Sequence, residues 1–188
     1  MKIRAKLIIG FSAMLAIMLS LTMVGFDRLN YMNGQLDTIY QDRYQKIRSS
    51  AGMRGEVNTM ARTVTSILLN TDASSVNKQR KEIEGSQAKA TEHYKEMNKS
   101  ISNPEEFQML KRIESAGTAY LEYQTQILQL LDENKVDQAR DFHNMNGQAV
   151  VSELLSSLNG LSDFENFMLN EEIKSAKSAY RGSIQMVS

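Results

Sequence analysis

The chain contains no cysteine, which excludes a disulfide framework and any thiol chemistry. It has a single proline and no tryptophan, so long stretches are free to run as uninterrupted helix. Charge of one sign is also missing. Lys+Arg and Asp+Glu stand at 22 each, which leaves no electrostatic footprint for nucleic acid. Short β-branched runs bounded by tight Asn-Gly or Asp-Gly turns are lacking, so almost no strand is expected. The two histidines, His93 and His143, have no ligand spacing to each other or to a carboxylate pair, which argues against a metal site or acid–base catalysis. No serine sits in a nucleophile motif and no glycine-rich loop is built to cradle phosphate. Glu105-Glu106 and Glu171-Glu172 fit helix capping and a solvated face. No catalytic residue, metal or cofactor is therefore expected, and the chain does not read as an enzyme.

What is present is a helix-forming composition rich in Ala, Glu, Gln, Lys, Leu and Met. The organising stretch is Leu7–Phe26, LIIGFSAMLAIMLSLTMVGF, without charge or proline. As a helix it is about 30 Å long, the thickness of a bilayer's hydrocarbon core. Ser12, Ser20 and Thr22 can hydrogen-bond back to their own helix and do not forbid spanning. The apolar run is longer than a signal-peptide core, and Thr22-Met23-Val24-Gly25-Phe26 offers no small-x-small cleavage site. Lys2, Arg4 and Lys6 keep residues 1–6 in the cytoplasm, which sends residues 27–188 outward, to the periplasm or cell exterior. A transmembrane helix over 7–26 in the inner (cytoplasmic) membrane follows.

From Asp27 the helical period continues through Leu29, Met32, Leu36, Ile39, Ile47, Val57, Met60, Val64 and Ile67. The first breaker cluster is residues 70–75, so this first helix runs about 45 residues beyond the membrane. A second helix over 75–100 carries Val76, Ile83, Ala90, Tyr94, Met97 and Ile101. Asn103-Pro104-Glu105-Glu106 is the sharpest punctuation: an N-cap, a proline at the first helical position and a capping-box acid. The third helix runs to about Asp132 with Phe107, Leu110, Ile113, Gly117, Tyr120, Gln124, Ile127 and Leu131. A short turn of helix at 136–142 and an irregular patch at 143–147 are then expected. The last helix starts near Gln148, with Val151, Leu154, Leu158, Leu161 and Phe164, then Leu169, Ile173, Ala176, Tyr180, Ile184 and Val187.

The predicted fold is all-α: an N-terminal transmembrane helix that continues into an antiparallel up-down-up-down four-helix bundle. The first and last helices outrun the middle two, which predicts a two-helix stalk toward the membrane. The last helix is still amphipathic at Ser188, as if a second transmembrane helix followed.

Candidate binding groups are polar residues at positions that the heptad reserves for apolar ones. The register Tyr40, Ile47, Arg54, Ala61, Leu68 places Arg54 on the seam, and Leu29, Leu36, Arg43, Ser50, Val57 does so for Arg43. An unpaired buried guanidinium costs several kcal/mol, so each needs an internal acid, an outlet to solvent or a ligand carboxylate gripped bidentately. Asn58 and Arg62 lie further along the same helix. Gly52, Gly55 and Gly117 leave room for close helix approach or for a solute. Tyr120 and Tyr123 can supply hydroxyls from the third helix, and Gln148 and Ser152 lie at the start of the last.

The segments MKIRAKLIIGF, NTMARTVTSILLNTD and LLDENKVDQARDF, set in this architecture, resemble the four-helix-bundle sensor region of bacterial methyl-accepting chemotaxis receptors. The likeness covers essentially the whole chain and is architectural. It implies a homodimer formed through helix one, a small-molecule ligand bound near the membrane-distal half, a ligand-gripping arginine at about the height of Arg62, and a signal passed inward by the last helix. A small, carboxylate-bearing solute such as an organic acid or amino acid is then the expected ligand. Two other outputs fit the same architecture. One is the input domain of a sensor histidine kinase or cyclase; the other is a membrane-anchored structural or partner-binding protein without a small ligand.

Overall fold

The computed structural model describes the backbone of residues 3–38, 43–70 and 72–185, and the side chains of 11–12, 14–27, 30, 34, 43–70, 72 and 74–178. The described residues form helices α1 (Ile3–Thr38), α2 (Tyr44–Leu69), α3 (Ala73–Ser100), α4 (Pro104–Asp132) and α5 (Val136–Gln185), with no strand among them. The expected continuity of the first helix falls partly on Ile39–Asp42, outside the described residues, as do Tyr180, Ile184 and Val187 as side chains. The chain divides into two compact units, Asp42–Asn170 and a second that joins Met1–Gln41 to Glu171–Ser188.

Asp42–Asn170 is the four-helix bundle, and its direction of winding is legible in polar contacts. Ser49 Oγ donates to Glu96 Oε2 at 2.7 Å and Gln79 Nε2 to Ser66 Oγ at 2.6 Å, so α2 and α3 are antiparallel. Arg80 pairs with Asp132 at 2.6 Å and Gln87 Nε2 donates to Gln124 Oε1 at 2.6 Å, which sets α3 against α4. Tyr123 meets His143 across α4 and α5. Arg140 Nε reaches Leu68 O at 3.0 Å and Ser50 Oγ reaches Leu158 O at 2.8 Å, closing α5 back on α2. The expected up-down-up-down order is the order found.

The core follows a strict three-four spacing on each helix. On α2 it is Met53, Val57, Met60, Val64 and Ile67; on α5, Leu154, Leu158 and Leu161. Ile83 and Met97 of α3 and Leu110, Ile113, Tyr120 and Ile127 of α4 complete it. Truncating one of the fully buried Leu or Ile residues to Ala costs about 2–5 kcal/mol.

The turns obey local chemistry. Asp72 caps α3 by accepting from Ser75 N at 3.1 Å, which starts that helix two residues before the expected Ser75. Asn103 caps α4 by accepting from Glu106 N at 2.9 Å, with Pro104 in the first turn. Between α4 and α5, Asn134 takes a left-handed φ of 55° and Lys135 N closes on Leu130 O at 2.8 Å. That is a Schellman stop with asparagine in place of glycine.

Two expectations are corrected. α5 runs unbroken through 143–147, so there is no irregular patch there and the last helix starts at Val136. Gly147 reads as a breaker but serves packing: a Cβ there would lie 2.9 Å from both Tyr123 Oη and His143 Nδ1. Phe107, expected in the core, is 45% exposed with Lys111 Nζ 4.7 Å above its ring, whereas Glu106 is fully buried.

In the other unit, α1 is bare on every face from Met14 to Phe26, all of these residues being exposed. Ser20 Oγ and Thr22 Oγ1 donate to Ala16 O and Met18 O at 2.9 and 2.8 Å, so neither hydroxyl is left unpaired. Among the described residues no helix is long and apolar enough to cross a membrane; part of the Leu7–Phe26 run, residues 7–10 and 13, lies outside the described side chains.

Candidate functional site

At the end of the bundle where α2 begins, the seam is ionic. Arg43 Nη1 lies 2.6 Å from Glu106 Oε1 and 2.9 Å from Glu165 Oε2; Lys46 Nζ lies 2.7 Å from Glu106 Oε2 and 3.7 Å from Glu165 Oε1. Lys46, Glu106 and Glu165 are fully buried. The Glu106 carboxylate also accepts from Ser102 N at 3.0 Å and Asn103 Nδ2 at 2.6 Å. Burial pushes Glu106 up, but the bonds from Lys46, Ser102 N and Arg43 outweigh it and hold the group below its ordinary value. Glu165 receives fewer bonds. Burial raises it above its ordinary value despite Arg43 and Lys46, and the Glu106 charge adds to the rise. Arg43, expected on the seam with a need for a partner, is thus a bundle residue satisfied by internal acids, and the cluster joins α2, α4 and α5.

Higher on α2 the cations are differently placed. Arg54 is half-buried and its guanidinium donates to the Asn159 amide oxygen of α5. Arg62 is exposed, with Nη2 3.4 Å from Thr59 Oγ1. Among the described residues no acid lies within ion-pair distance of either guanidinium, in contrast to Arg43 and Lys46. Arg54, Asn58 and Arg62 are spaced i, i+4, i+8, which aligns them over about 12 Å of one helix face. Asn58 and Arg62 line an open surface groove with Gly55, Thr65, Ser66 and Leu69.

Gln148 and Ser152 are exposed on α5. They fall between the level where His143 meets Thr65 and the level where Leu158 meets Ser50, hence beside the Arg54–Arg62 stretch. They lie well inside α5 rather than at its start. Tyr120 and Tyr123 share this height but are core residues, 1% and 4% exposed. The structure therefore gathers the polar candidates of α2 and α5 at one level and separates the tyrosines from them.

Tyr123 Oη sits 2.5 Å from His143 Nδ1, and Thr65 Oγ1 lies 3.5 Å from the other ring nitrogen. Burial lifts the Tyr123 phenol to about 12 and lowers His143 below its ordinary value, so the pair is neutral at pH 7. Tyr120, pushed up mainly by burial, has a hydroxyl with no partner among the described residues. It forms part of the wall of a cavity of about 300 Å³ between α2, α3 and α4, with Leu154 of α5. Gly117 borders this cavity, and a Cβ on it would meet nothing within 4 Å. Gly52 has the opposite role: the His93 ring lies where its Cβ would be.

Lys46 and Glu165 are the polar residues that the sequence reading passed over. Their signal was available, since 43, 46, 50, 53, 57 and 154, 158, 161, 165 are unbroken three-four series in which charge stands at apolar positions.

The described residues thus form four antiparallel amphipathic helices preceded by an apolar helix. A family model described as a four-helix-bundle sensory module for signal transduction matches residues 1–181, and the chain belongs to that family, the sensory modules of methyl-accepting chemotaxis receptors. No curated protein matches the chain.

Proposed function

We propose that the chain is the membrane-anchored sensor portion of a chemoreceptor that recognises a small carboxylate-bearing solute outside the cell and signals through α5. The observation that carries the ligand class is the pair of guanidiniums, Arg54 and Arg62, that lack an acid among the described residues while each cation of the basal cluster has one. A carboxylate held between them, or between one of them and a second copy of the chain across α2, would take bidentate bonds from arginine and an amide contact from Asn58. Gln148 and Ser152 stand level with that surface on α5 and complete it; Tyr120 and Tyr123, being core residues, leave the proposed contact set.

Anchoring is supported by the apolar, fully bare surface of α1 from Met14 to Phe26, a pattern that suits lipid better than water. Alkaline carbonate washing should leave the chain in the membrane pellet; recovery in the supernatant would refute the anchor. The chain has no cysteine, so Ser156→Cys, at an exposed α5 position, should react with an impermeant maleimide from outside intact cells.

Ligand class is tested by thermal shift of the purified full chain against small dicarboxylic and amino acids. A ligand at 100 times its Kd adds about 2.7 kcal/mol. At about 2–4 °C per kcal/mol for a chain of this size, that is a rise of about 5–11 °C. Arg54→Ala and Arg62→Ala should lose it. A parent and variants that respond alike would remove the site, and a panel with no hit would remove the ligand class.

A further inference from the structure

The cavity beside Gly117 opens between α3 and α4, and its mouth carries the opposite charge to the arginine face. The accessible side chains there include Thr91 and Tyr94 of α3 and Glu114, Thr118 and Leu121 of α4, over an apolar floor that includes Met53, Met60 and Ile113. Glu114 is the charged residue of the lining. A contact across the seam places its carboxylate. Burial raises the Tyr94 phenol first, and the Glu114 charge and a hydrogen bond to that carboxylate raise it further. A glutamate of α4 that accepts from a tyrosine of α3 lies over the gap where the cavity opens, and it keeps lone pairs for further donors. Among the described residues no lysine or arginine is within ion-pair distance of it. Lys111, about one turn earlier, stands over the Phe107 ring; Arg112 Nη2 lies 3.9 Å from Glu153, and Lys89 Nζ 3.9 Å from Glu56. An apolar cavity of about 150 Å³ holds benzene in another protein, so this one, of about 300 Å³, has room for a ring and a short arm.

We propose that this cavity binds a small organic cation, a primary ammonium on an apolar body of arylalkylamine size, with the ammonium paired to the Glu114 carboxylate. The body rests on the apolar floor while the ammonium stays at the mouth and keeps part of its water. A fully buried ammonium would lose more hydration than one carboxylate returns, and at the mouth that loss is avoided. Glu114 repels the carboxylates proposed for Arg54 and Arg62, so the two sites take ligands of opposite charge. Gly117 keeps the space open, since a side chain at that position would start in the void and fill it.

The test is a fluorine NMR titration of the full chain in uncharged detergent micelles at pH 7 with 4-fluorobenzylamine, using empty micelles to measure partitioning. A saturable shift above the micelle line is expected. 4-Fluorobenzyl alcohol, the same ring without the charge, should bind about two- to fivefold more weakly, the range of a solvent-exposed ion pair. 4-Fluorobenzoate should follow its own micelle line. Glu114→Gln should bring the amine down to the alcohol and leave the alcohol unchanged. Gly117→Leu, with the parent's circular dichroism, should abolish binding of both. Arg54→Ala and Arg62→Ala should titrate as the parent does, which separates this result from that of the arginine face. A parent that follows the micelle line, an amine held no better than the alcohol, or a folded Gly117→Leu that binds as the parent does overturns the site. Should Gly117→Leu fail to fold, Glu114→Gln decides, and amine binding equal to the parent's overturns the proposal.

Discussion

Lys46→Met removes a fully buried ammonium that lies 2.7 Å from Glu106 and 3.7 Å from Glu165. Methionine matches the length of the aliphatic stem, so the loss isolates charge rather than volume. Two buried carboxylates are then left to face Arg43 alone among the described residues. Removing one partner of a buried ion pair costs about 3–5 kcal/mol, because the remaining charge stays desolvated and unpaired. At about 2–4 °C per kcal/mol, the melting temperature should fall by about 6–20 °C, read as helical circular dichroism of the full chain at pH 7. The variant Lys46→Met/Glu165→Gln restores one cation against one carboxylate and should recover at least half of the loss, a coupling within the range of contacting pairs. Acid should help the single variant. Glu165 already has a raised pKa, so the folded state takes up its proton before the unfolded chain does, and that contribution to stability grows as pH falls toward about 4.5. The deficit against the parent should therefore be smaller at pH 5 than at pH 7. A loss under about 1 kcal/mol at pH 7, or a double variant no better than the single, would refute the claim that this cluster is a desolvated, mutually dependent unit.

Gly160→Ala and Gly85→Ala place a methyl in open space within a helix and should each stabilise by up to about 1 kcal/mol in denaturant titration, whereas Gly147→Ala, 2.9 Å from Tyr123 Oη and His143 Nδ1, should destabilise. His143 has a depressed pKa, so its contribution is intact above about 6.5 and is lost as pH falls through the folded value; His143→Gln should flatten the melting-temperature profile between pH 7 and pH 5. Tyr120→Phe removes a buried hydroxyl that has no partner and should leave the melting temperature unchanged or higher, while a fall of several degrees would mean that the hydroxyl is bonded.

Helix type and the antiparallel order of the bundle were legible in the sequence because the three-four spacing is sustained and the punctuation is chemical. Asn103-Pro104-Glu105-Glu106 gave the start of α4 to the residue, since a cap and an N1 proline leave one arrangement. The same motif hid its second meaning. Glu106 was explained by capping, so its role as counter-ion to Lys46 and Arg43 went unread; a local bond was sufficient reason for the residue, and the tertiary bond left no local trace. Phe107 was assigned to the core on hydrophobicity alone, one position out of the register that Glu106 holds. Residues 143–147 read as a break because asparagine and glycine favour turns, but the cost of Gly147 in a helix is offset by the Tyr123–His143 contact that it admits. Arg54 and Arg62 were found by the right question, charge on or near a seam. Yet Arg54 stands on the flank, beside a seam made by Met53 and Val57, which is why it meets an amide and solvent rather than an acid.

A signal carried by α5, as proposed, has to respect how that helix is tied. Ser50 to Leu158 O, Arg43 to Glu165 and Arg140 to Leu68 O bind α5 to α2 along the bundle, the first two of them buried. Helix shifts in switching proteins are about 1–2 Å, enough to break a hydrogen bond of 2.8 Å if α2 stays behind. Sliding α5 past α2 thus opposes several bonds at once, whereas moving the two together opposes fewer. The polar contacts from α2 to α3 are partly exposed near both ends of the bundle, Ser49 to Glu96 at one and Gln79 to Ser66 at the other, and such bonds exchange with water at little cost. Among the described residues, buried charge holds α4 to α2 at the base, where Lys46 and Arg43 grip Glu106. The arrangement favours α2 and α5 moving as one body that pivots about the Glu106 end, and the open volume beside Gly117 lies in the interface that such a pivot would flex.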